Sequence, residues 1–68
     1  MPKFYVETYW PPYPNAVREV RVHTEHHYTV EALSPNLTGV WCVEATRKGE
    51  AIPILIHELV NNIAHRII

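Results

Sequence analysis

In AIPILIHELVNNIAHRII, which runs from Ala51 to Ile68, apolar residues recur at intervals of three and four: Ile52, Leu55, Ile56, Leu59, Val60, Ile63 and Ile67. That is the period of a helix with one apolar stripe. Pro53 suits a first helical turn, where a backbone N–H has no intrahelical partner. Arg66 would stand near the C-terminus, where the helix dipole favours a cation. The spacing therefore predicts a helix over about 53–67. A short strand over 51–56 followed by a shorter helix is the competing reading.

Upstream, the period changes to two. In KFYVETY, residues 3–9, Phe4, Val6 and Thr8 alternate with Lys3, Tyr5, Glu7 and Tyr9, the pattern of a strand. The run Trp10-Pro11-Pro12-Tyr13-Pro14 stops it, because proline removes backbone donors and fixes φ. Residues 18–33, REVRVHTEHHYTVEAL, alternate again. Sixteen extended residues would reach roughly 50 Å, too long for a domain of this size. The segment is either one bent strand or two strands reversing near 24–27. The two-strand reading is preferred, although no Gly, Asn or Pro marks its turn. Ser34-Pro35-Asn36 is a turn signal. Residues 38–47 form a further strand, with Trp41, Val43 and Ala45 on one face and Val40, Cys42, Glu44 and Thr46 on the other. The predicted architecture is a single α+β domain: a three- to four-stranded antiparallel sheet with one C-terminal helix packed on one face.

Composition narrows the functions. The chain has 68 residues, 47% of them hydrophobic and 19% charged, which is too apolar for a disordered chain. Its formal net charge of −1 argues against a dedicated nucleic-acid binder. The basic residues Arg18, Arg21 and Arg47 keep nucleic-acid binding as a remote alternative. No run approaches the ~20 apolar residues of a membrane span. The first ten residues carry no secretory h-region, and Cys42 is the single cysteine, so a cytoplasmic location is expected.

No nucleophile motif, phosphate-binding glycine loop or zinc-helix motif occurs, and Cys42 sits mid-strand between Trp41 and Val43. A non-catalytic role without a cofactor is expected. The five histidines invite a metal reading. In a straight strand, however, His23 and His27 stand roughly 13 Å apart and His26 points to the opposite face. A histidine-dependent metal or small-ligand site then requires a turn or a second subunit.

One helix covers one face of a small sheet, yet Tyr5, Tyr9 and the strand around Trp41 make the other face apolar too. Trp10 and Tyr13 add rings in the proline-rich connection. Contiguous exposed apolar surface marks binding, and Tyr and Trp are enriched at interface hot spots. The expected function is a protein-binding module that docks onto a larger protein, onto a second copy of itself, or both. Tyr5, Tyr9, Trp10, Tyr13 and Trp41 would contact the partner, with Arg21, His23 and His27 as a polar rim. Small inhibitors and accessory factors of phages and mobile elements, including anti-CRISPR-type inhibitors, are of this build. Calorimetric titration with zinc is expected to show no saturable heat; a heat lost on replacing His23, His26 and His27 would favour the metal reading instead.

Overall fold

The computed structural model describes residues 1–10 and 27–68. Strand β1 spans Lys3–Tyr9, β2 His27–Glu31, β3 Gly39–Glu44, helix α1 Ala51–Val60, and β4 His65–Arg66. They form a four-stranded sheet in the order β2-β1-β3-β4 with α1 on one side. The fold is therefore α+β, as the periodicities require.

Within the sheet, β1 pairs antiparallel with β3, Val6 opposite Trp41 and Phe4 opposite Val43. The two-residue β4 continues the antiparallel pairing on the far side of β3. On its other edge β1 pairs with β2 in parallel, Val6 opposite Tyr28 and Thr8 opposite Val30. The expected all-antiparallel sheet is thus mixed. Seventeen residues separate β1 from β2, enough for the crossover that parallel neighbours require. The portion of 18–33 before His27, with its proposed reversal near 24–27, lies outside the described residues.

Side-chain alternation places the core. Phe4, Val6, Trp41 and Val43 share the face toward α1, with Val6 and Val43 fully buried. Ala45, Ala51 and Leu55 complete the cluster, while Tyr28, Val30, Ile54 and Leu59 pack at its margin.

The helix ends seven residues before Ile67, where the apolar period had placed its end. Asn62 adopts a left-handed backbone with φ of 57°. The Ile63 N–H donates to the Glu58 carbonyl at 2.9 Å and the Asn62 N–H to the Leu59 carbonyl at 3.2 Å. These two bonds are a Schellman termination, with asparagine in the position glycine usually takes. Beyond it the chain reverses and pairs with β3. The Ile67 N–H donates to the Val40 carbonyl (2.7 Å) and the Val40 N–H to the Ile68 carbonyl (3.1 Å). Ile63 and Ile67 therefore leave the helical stripe.

Gly39 makes this last pairing possible. A Cβ there would stand 2.7 Å from the Ile68 carbonyl oxygen and 2.6 Å from Arg66 Nε. Gly39→Ala is expected to push the C-terminal strand off β3 and destabilise the protein by about 1–3 kcal/mol. Urea denaturation together with amide exchange at Ile67 checks this; unchanged protection of that amide would contradict it.

Candidate docking site

Trp41 illustrates how the fold redistributes the aromatic residues. Its position on β3 turns the indole toward α1, where only 6% of the residue is exposed. The indole N–H donates to Thr8 Oγ1 at 2.9 Å, and the Thr8 hydroxyl donates to the Leu37 carbonyl. The chain ties β1, β3 and the turn after β2 together, satisfying polar groups that would otherwise be buried alone. The Arg66 guanidinium stands over the indole ring, 5.4 Å from its centre, and donates to the Thr38 carbonyl. Trp41, expected in a partner-binding surface, is a core residue of its own domain.

The other expected contact residues are dispersed. Tyr5, Tyr9 and Trp10 are half-buried. Tyr5 lies on the sheet face away from α1, in register with Cys42 on β3. That face is not bare: Glu7 is 4% and Val40 2% exposed, and Cys42 is half-buried. His27 opens β2, opposite Tyr5 in the ladder. Tyr13, Arg21 and His23 lie outside the described residues.

The open apolar surface stands on the helix side. Only His57 and Glu58 are polar in the ten residues of α1, so the helix is apolar nearly all round. Ala51 and Leu55 are buried against the sheet, whereas Ile56 is 50% and Val60 80% exposed. The expected stripe had both of these facing the core. When most of a helix surface is apolar, the period cannot say which side the sheet takes. Here the side centred on Ala51 and Leu55 takes it, because the small Ala51 lets the helix approach closely.

α1 lies against β3 and β1, and a groove of about 360 Å³ remains between it and the end of β2. Val30, Ala32 and Leu33 form one wall, and Ile52, Ile56 and Val60 the other. Leu33, 81% exposed, stands at the rim just outside the alternation of β2. Among the described residues lining the groove, only Thr8 and Glu31 are polar. Ile56 and Val60 were expected to face the core, and Leu33 had no expected role. The signal was present in the near absence of polar residues from 51–60, since a helix apolar all round is one covered on more than one side.

A second hollow, about 370 Å³, gathers Lys3, Cys42, Glu44, Glu58 and His65. Among the described residues, no group of three or more His, Cys, Asp or Glu side chains is placed to hold a metal ion. No helix among them is long and apolar enough to cross a membrane. The chain matches no protein-family model, no curated protein and no solved structure significantly.

The Thr8 hydroxyl is the polar hinge of the core beside the groove. Thr8→Val is expected to leave the indole N–H without its acceptor, costing about 1–3 kcal/mol in urea denaturation. Thr8→Ser keeps the hydroxyl and should lose clearly less; equal losses would show that the bond itself contributes little.

Proposed function

We propose that the protein is a non-catalytic, protein-binding module that docks, onto a larger protein or onto a second copy of itself, through the apolar groove between α1 and the end of β2. One observation carries this reading: Leu33, Ile56 and Val60 stand exposed around a concave apolar surface in a chain whose core is already small. Burying one such aliphatic side chain is worth about 1.5–3 kcal/mol, so a partner that covered all three would gain a substantial driving force. Aliphatic walls with Thr8 and Glu31 as their polar members suit an apolar partner better than a reaction requiring charge stabilisation.

The half-buried Tyr5, Tyr9 and Trp10 support a second docking area on the remaining surface. The cytoplasm is the proposed location, supported by a lone, unpaired cysteine. Inhibition or accessory control of a larger protein, as practised by small factors of phages and mobile elements, is the mode of action such a module would use.

Affinity capture from the native cell, with purified protein as bait, discriminates the two surfaces. Leu33→Glu and Val60→Glu should each lower recovery of the wild-type partner at least tenfold with unchanged circular dichroism. The double variant Trp10→Ala/Tyr13→Ala should retain it. The reverse pattern would transfer docking to the aromatic surface.

A further inference from the structure

We infer that the occupant of the groove is a second copy of this chain, related by a two-fold axis; the inference rests on the docking reading above. Ile52, Ile56 and Val60, spaced four apart, form one ridge along α1, and the groove lies directly beside it. The same surface thus carries both a projection and the hollow to receive one. An isologous interface requires that combination, because each copy must offer what the other needs. Ridges of this i, i+4 type interdigitate when two helices cross at about 50°. Ile56, the middle member, then falls nearest the axis and meets its own counterpart.

Area and charge agree with this occupant. At their exposures, Leu33, Ile56 and Val60 together with the groove walls leave on the order of 400 Å² of apolar surface open. A standard interface buries about 800 Å² per partner, a little over half of it apolar. The patch therefore approaches the apolar share of one side of a stable dimer. The net charge of −1 sets up little repulsion between copies. Interface centres are depleted in charged residues; Ala51–Val60 contains one, Glu58, and the groove lining one, Glu31 at the β2 side. A membrane surface is the less favoured cover, since helices that lie on lipid carry Lys or Arg on their polar side and α1 has neither.

The test is solution mass by light scattering and sedimentation equilibrium on the full chain, from about 1 to 300 μM, at a wild-type stability checked by circular dichroism. The wild type should reach twice the chain mass within that range. Ile56→Asp and Ile56→Lys should each stay at the single-chain mass, and an equimolar mixture of the two should return to the double mass. Val60→Glu, at a more exposed position, should also remain single and serves if the Ile56 variants fail to fold.

A wild type that stays single throughout overturns the inference. So does a double mass that survives all three substitutions, or a single chain that binds anionic lipid vesicles through α1. Binding of the apolar dye anilinonaphthalene sulfonate separates this failure from that of the docking reading. A single-chain wild type that binds the dye, and loses it with Val60→Glu, keeps an open docking groove but excludes a second copy as its occupant. A single-chain wild type that binds no dye removes both.

Discussion

The structure depends on a mismatch of widths. Four strands place their outer members roughly 14 Å apart, whereas a helix with its side chains is about 10–12 Å across. α1 covers β3 and β1, so among the described residues the apolar end of β2 stays uncovered beside it. The groove follows from that geometry together with the helix's composition. A conventional amphipathic helix would have presented polar residues at Ile56 and Val60, and the gap would be an ordinary wet margin. With aliphatic side chains there, the gap is an apolar hollow with an apolar rim.

The interior on the other side of this boundary is settled by few residues. Val6 and Val43, fully buried, form its centre, and Phe4, Trp41, Ala51 and Leu55 fill the layer around them between sheet and helix. Trp41 is the one large polar-edged ring in this cluster, and Thr8 supplies the acceptor that makes its burial tolerable. Thr8 also lines the groove. Core and candidate docking surface therefore share Thr8 and Leu55, so the packing that holds Trp41 also shapes the hollow.

Docking through α1 fits the economics of a small chain. A core of this size contributes only a few kcal/mol of net stability, and a covering partner adds apolar burial that the chain cannot supply alone. With a single cysteine the chain forms no internal disulfide, so such burial would not be duplicated by an internal cross-link.

Much of the fold was legible from residue order. The limits of β1, the two faces of β1 and β3, and the presence of a helix after Gly49 all follow from local periodicity, because side-chain direction repeats every two residues in a strand and every 3.6 in a helix. Periodicity is blind to other things. It carries no strand direction, so β2 could run parallel to β1 without any change in its alternation. It continued through Asn61 and Asn62, where a left-handed residue and pairing with β3 end the helix. It could not orient a helix apolar on nearly every side, nor show that Trp41 would find a hydroxyl across the sheet. Which residues are apolar, and on which face of their own element, was determined by sequence. Which apolar faces meet each other and which remain open was decided only by tertiary packing, since that depends on distances between segments far apart in the chain.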